Sequence, residues 1–225
     1  MNLLTFSRGP VYLLFVAALG LSACSTVPKP ADWQLEAKGS LDRSVLAYLE
    51  GNSRVEAAEL ARARTAVSAT GRPDLAARLE LLHCASHAAS LVFEGCAGFE
   101  RFQPDALPAE QAYARYLSGG ALPSDSALLP PQQQAAASGN EAALLAIEEP
   151  LSRLVAAAVA FKTGRASPAV VQAAVDTASS QGWRRPLLAW LGVQLSLAEK
   201  AGLQDAAAGL RRRIELAQGN LKAVL

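Results

Sequence analysis

The side chains able to do chemistry gather in one short run, His83-Cys84-Ala85-Ser86-His87, with Cys96 a little further on. Both histidines of the chain lie in it. A separation of four puts His83 and His87 on one face of a helix, where two imidazoles can chelate a transition metal. Cys84 sits about 100° round the helix from His83, on the side of Leu81 and Ala88, so it does not complete such a site. The acidic residue at a ligand spacing is Glu80, three before His83. The competing reading is a histidine pair that holds no ion, because a third good ligand is missing. Cys84 and His87, three apart, also set a thiol beside a base. Their surroundings are apolar, however, and no carboxylate orients the imidazole.

Other chemistry is thinly represented. There is no Gly-x-Ser-x-Gly, and Gly119-Gly120 lacks the Lys-Ser/Thr that a phosphate loop needs. Glu148-Glu149, just before Pro150, suits the amino terminus of a helix, where the dipole attracts carboxylates. Trp183-Arg184-Arg185, with Trp190 beyond, offers stacking on a sugar or a grip on an anionic head group. The simpler reading is a helix start with tryptophan packed beside arginine stems. Arg211-Arg212-Arg213 reads as a solvated face, with Arg211 able to meet Glu215. Nothing here points to an enzyme or implies a cofactor.

The elements that must position these residues are helical. Ala, Leu, Glu, Gln and Arg dominate the periodic segments, and alternating β-branched and aromatic runs are missing. The spacing predicts a helix over 32–50, broken by Gly51-Asn52, and a second from Ser53, as its cap, to about Ala69. Thr70-Gly71-Arg72-Pro73 is a stop, followed by a helix from Asp74 to about Phe93. That third helix is apolar on two sides and so is expected to be central. A shorter helix runs from Pro108 to Leu117. Residues 119–140, rich in Pro, Gly, Gln and Ala, read as a linker or loop with room for a helical turn inside it. Further helices are expected over Glu141–Glu148, Pro150–Lys162 (Leu151, Leu154, Val155, Ala158 and Phe161 inward), Ser167–Ser180, Arg185–Lys200 and Leu203–Gln218. Their short connections make neighbours antiparallel hairpins.

At the amino terminus, Arg8 precedes the apolar run Val11–Leu21, which is too short to span a bilayer, and Leu21-Ser22-Ala23-Cys24 follows. These four residues resemble the lipobox of bacterial lipoproteins. The resemblance implies that 1–23 is a signal peptide, that Cys24 carries the lipid, and that several acyl chains hold the protein stably on a membrane. Ser25, in place of the Asp that retains lipoproteins in the inner membrane, implies an outer-membrane anchor facing the periplasm. Residues 24–31, with two prolines, then form a lipidated tether. Export also bears on the remaining thiols. An oxidising compartment and an even pair, Cys84 and Cys96, suggest a disulfide, with buried free thiols as the alternative. Twelve residues of unbroken helix would hold them about 18 Å apart, so a bridge requires the helix to end near Ser90 and the chain to fold back.

The helix starts near Pro150 and Pro186, and those near Ser167 and Leu203, recur at one common interval. Ala198-Glu199-Lys200-Ala201-Gly202-Leu203 and Tyr48-Leu49-Glu50-Gly51-Asn52 resemble the turn of tetratricopeptide repeats, with the aromatic and proline positions mostly unfilled. The expected fold is therefore all-α, antiparallel helical hairpins arranged as a tetratricopeptide-like α-solenoid or an irregular helical bundle. An N-terminal helical region (32–118) and C-terminal hairpins (141–225) flank the segment 119–140. The 225 residues carry a formal charge of +1, and removing 1–23 leaves equal numbers of acidic and basic side chains, which excludes a nucleic-acid binder. The expected role is a periplasmic scaffold for an unidentified envelope protein, attached to the membrane through Cys24. The alternative is a small-ligand or metal-binding lipoprotein using His83 and His87.

Overall fold

A computed structural model describes residues 30–219. Cys24, residues 1–23, read above as a signal peptide, and most of 24–31, read as a tether, lie outside the described residues. Contacts divide the chain after Pro30, and everything below concerns the unit that begins at Ala31.

Among the described residues every regular element is helical. The first three helices are α1 (Asp32–Glu50), α2 (Ser53–Ser68) and α3 (Pro73–Ala89). Gly51 ends α1 with φ +92°, and its N–H bonds back to the carbonyls of Ala47 and Tyr48. The left-handed conformation calls for glycine, whereas the one close neighbour a Cβ would meet, the Arg184 guanidinium at 2.9 Å, is the end of an exposed side chain that can move aside. The expected cap shifts by one residue: Asn52 Oδ1 accepts the Val55 N–H at 3.3 Å, which leaves the Ser53 hydroxyl for a tertiary contact.

The third helix stops four residues before the expected Phe93. Leu91 adopts φ +61°, and the N–H groups of Leu91 and Val92 bond to the carbonyls of Ala88 and His87. This left-handed closure reverses the chain. It leads into α4 (Ala97–Glu100), a 3-10 turn at Gln103–Asp105, and α5 (Pro108–Ser118).

The stretch 119–140, expected as a linker or loop, is folded. It contains a 3-10 segment, Pro123–Leu128, and α6 (Pro131–Ala137). Asp125 is buried against a bidentate Arg115, and Gln133 is 1% exposed. Its amide donates to the Ser152 carbonyl at 2.9 Å and accepts the Tyr116 hydroxyl at 2.6 Å.

The remaining helices are α7 (Glu141–Leu145), α8 (Pro150–Lys162), α9 (Pro168–Gln181), α10 (Arg184–Lys200) and α11 (Gln204–Ala217). Glu149 caps α8, its carboxylate accepting the Leu151 and Ser152 N–H groups, as paired acids before a proline suggested. Residues 154–160 of α8 are all buried, so this alanine-rich helix is covered on every side. Phe161, expected inward, is 38% exposed and packs edge-on to Trp190. Trp190 itself is fully buried and donates its indole N–H to the Ala89 carbonyl at 3.0 Å, fastening α10 to the end of α3. Arg211 pairs with Glu199 across the α10–α11 turn, not with Glu215.

A candidate metal centre between four helices

The two histidines stand on α3, in the half of the helix that faces the start of α2. His83 Nε2 and His87 Nε2 lie 3.2 Å and 3.1 Å from one oxygen, Glu56 Oε1. The second oxygen, Glu56 Oε2, accepts the Arg185 guanidinium at 3.2 Å. Arg185 also donates to Ser53 Oγ and lies over the Tyr48 ring, 4.3 Å from its centroid. Tyr48 in turn stacks on His87, with ring centroids 3.9 Å apart. The contacts close into a ring running Glu56, His87, Tyr48, Arg185 and back to Glu56. One residue each from α1 and α10, and two from α2, thus surround the histidine pair of α3.

Burial and charge set the state of these groups. His87 is held below its ordinary value, first by burial and then by the neighbouring His83, with Glu56 opposing both. For Glu56, burial pushes the carboxyl up. The hydrogen bonds from His83 and His87, together with Arg185, outweigh it and leave the group lowered and ionised. Burial raises the Tyr48 phenol. An ionised carboxylate only accepts, so both Nε2 atoms carry their proton in this arrangement. Binding an ion through Nε2 requires each ring to keep its proton at Nδ1 instead.

Three candidate ligand atoms, one from each of Glu56, His83 and His87, lie within 4.8 Å of one another. With metal–ligand bonds of about 2.0–2.1 Å, tetrahedral donors stand about 3.3 Å apart. The two carboxylate-to-imidazole edges, 3.2 Å and 3.1 Å, are close to that spacing. Two imidazoles and one carboxylate suit zinc, copper or nickel, whereas calcium and magnesium need more oxygen donors. Arg185 on the outer carboxylate oxygen supplies the kind of orienting partner that metal-bound carboxylates use.

The spacing of His83 and His87 was legible in sequence, and the structure brings both to one point. The acidic partner differs from expectation. Glu80 turns away, 3% exposed, into a bidentate pair with Arg64 at 2.7 Å. Glu56 and Tyr48 were not anticipated at the site, and Ser53 and Arg185, read as a helix cap and as a basic cluster able to hold an anion, were not expected beside the histidines. A signal for Glu56 did exist: Glu56 and His87 lie at nearly equal distances along the chain from Gly71, so an antiparallel α2–α3 hairpin brings them opposite each other. Cys84 and Cys96 are joined, with Cα atoms 6.0 Å apart. The early end of α3 and the reversal at Leu91 make that approach possible. Cys84 stands apart from the metal candidates, on the side of α3 that faces α4. No family model, no curated protein sequence and no solved structure matches the chain.

Proposed function

We propose that this chain is a lipid-anchored envelope protein whose helical body binds one divalent transition-metal ion through Glu56, His83 and His87. The observation that carries the reading is the single oxygen Glu56 Oε1 set against two imidazole nitrogens, at 3.1 Å and 3.2 Å. The anchor on Cys24, in an outer membrane facing the periplasm, rests on the lipobox resemblance. A protein-docking role for the hairpins draws support from Leu46 and Leu82, exposed residues that line an apolar groove of about 400 Å³ beside α1, α3 and α8. In that role the metal serves as a tie between helices.

Titration of the full-length, untagged protein with zinc, followed by calorimetry, tests the site. One equivalent is expected, and an excess of about 100 times Kd should add about 2.7 kcal/mol of stability. Magnesium at the same concentration should add nothing. His83→Ala and His87→Ala should each remove the zinc effect. Zinc binding that persists in the double variant, or no binding in the native chain, would overturn the assignment.

A further inference from the structure

A separate cavity of about 320 Å³ opens beside the α2–α3 turn. Its volume is at the small end of the range that ligand pockets occupy. Val67, Ala76, Leu79 and Phe102 are its apolar lining, and three arginines, Arg64, Arg72 and Arg101, line it as well. Two of these are fixed by carboxylates. Arg64 gives Nε and Nη2 to Glu80, and Arg72 gives Nε and Nη2 to Asp74. Each therefore keeps Nη1, with its two N–H groups, for another acceptor. Arg101 has no carboxylate partner among the described residues; its guanidinium lies over the ring of Phe102, 5.8 Å from the centroid.

The wall is built to hold this arrangement. A Cβ on Gly98 would lie 2.1 Å from Glu80 Oε2, so glycine there makes room for the buried carboxylate that positions Arg64. Glu80 and Asp74 neutralise two of the three cations, and Arg101 leaves one positive charge over. An apolar lining with one uncompensated guanidinium and two oriented ones selects for a ligand with one negative head and a short apolar tail.

We propose that this cavity binds a small anionic amphiphile, an acyl carboxylate or an acyl-chain lipid with an anionic head. The tail lies on Val67, Leu79 and Phe102, and the head meets Arg101 and the remaining N–H groups of Arg64 and Arg72. This site is independent of the metal centre, and its test leaves that centre untouched.

The experiment uses the chain as it is isolated from its native membrane or expression host, in phosphatidylcholine nanodiscs, with an octanoate probe bearing a diazirine on its tail. After irradiation, crosslinks should map to Val67, Ala76, Leu79 or Phe102. Unlabelled octanoate should compete about tenfold more effectively than octanol, a ratio set by the charged head alone. Arg101→Glu, at an exposed position, should weaken labelling about tenfold while the helical circular dichroism stays unchanged. Ala76→Phe, which adds bulk to the lining, should abolish it. Adding phosphatidylglycerol to the discs separates the two sources of ligand. Suppressed labelling identifies the bilayer lipid as the ligand, and unchanged labelling identifies a soluble acyl anion. Crosslinks scattered over the surface, equal competition by octanol, or an Arg101→Glu variant that labels like the native chain would each overturn the proposal.

Discussion

Glu56 and Arg185 are 129 residues apart in the chain, and their side chains meet at 3.2 Å. The pair ties the first hairpin to α10 beside the histidines. Arg185 also stacks on Tyr48 and bonds to Ser53, so its loss removes several contacts and leaves the half-buried Glu56 with fewer donors. Because Arg185 keeps part of its surface in water, the cost is moderate. Arg185→Ala should destabilise the fold by about 1–2 kcal/mol in urea unfolding. Arg185→Lys should recover less than half of that, because an ammonium neither forks nor stacks as a guanidinium does. A full recovery by lysine would reduce Arg185 to a simple charge.

Acid should weaken the same cluster, and the sign follows from two groups. His87 is held below its usual 6.5, so the unfolded chain takes up a proton first as pH falls. Stability is therefore complete above about 6.5 and declines from there down through the folded value. Glu56 is held below 4.5, so the stability it contributes is present above that value and is lost as pH falls through its own lowered one. Both groups act in the same direction. The melting temperature should fall between pH 7 and 5, and His87→Gln should flatten the upper part of that slope. A native protein whose melting temperature is level from pH 7 to 5 would show that the ring of contacts contributes nothing.

What could be read from the sequence was what lies close along the chain. The span of α1, the start of α5 at Pro108 and the shared face of His83 and His87 all follow from periodicity, proline and a spacing of four. The end of α3 was legible through the cysteines, whose pairing requires a stop near Ser90, and not through periodicity, because Leu91 adopts a conformation that its residue type disfavours and that only the packed chain enforces. Glu56 and Arg185 were hidden for another reason: they join the histidines from other helices, and no local pattern fixes the register between α2, α3 and α10. Residues 119–140 misled by composition. Prolines and glutamines suggest a linker, yet Pro123 and Pro131 begin helical turns there and Gln133 is buried with both ends bonded.

The cysteine pair gives a prediction read from connectivity. Cys84 and Cys96 are separated by 12 positions and sit 6.0 Å apart at Cα, which closes a loop over the reversal at Leu91. A loop of that size removes unfolded-state freedom equivalent to about 3 kcal/mol. Cys84→Ala with Cys96→Ala should cost about 2–3 kcal/mol in urea unfolding. In the native protein under non-reducing, denaturing conditions, neither residue should react with a thiol reagent. Alkylation of both before any reductant is added would show that the bridge does not form.

The folded state of 119–140 can be tested through Gln133. Its side chain joins three elements: Tyr116 of α5 donates to it, it belongs to α6, and it donates to the backbone of Ser152 in α8. Removing the amide leaves the Tyr116 hydroxyl, buried and bonded to nothing else, without its acceptor. Leaving such a group unsatisfied costs about 1–3 kcal/mol. Gln133→Leu keeps most of the volume and isolates that polar term, while Gln133→Ala adds a cavity. The expected order of stability is native, then leucine, then alanine, with leucine lower by about 1–3 kcal/mol. Hydrogen exchange supplies the local readout: amides of α6 should be protected in the native chain and lose protection in both variants. Exchange of 131–137 at the rate of a free peptide in the native protein would mean that this stretch is a linker after all.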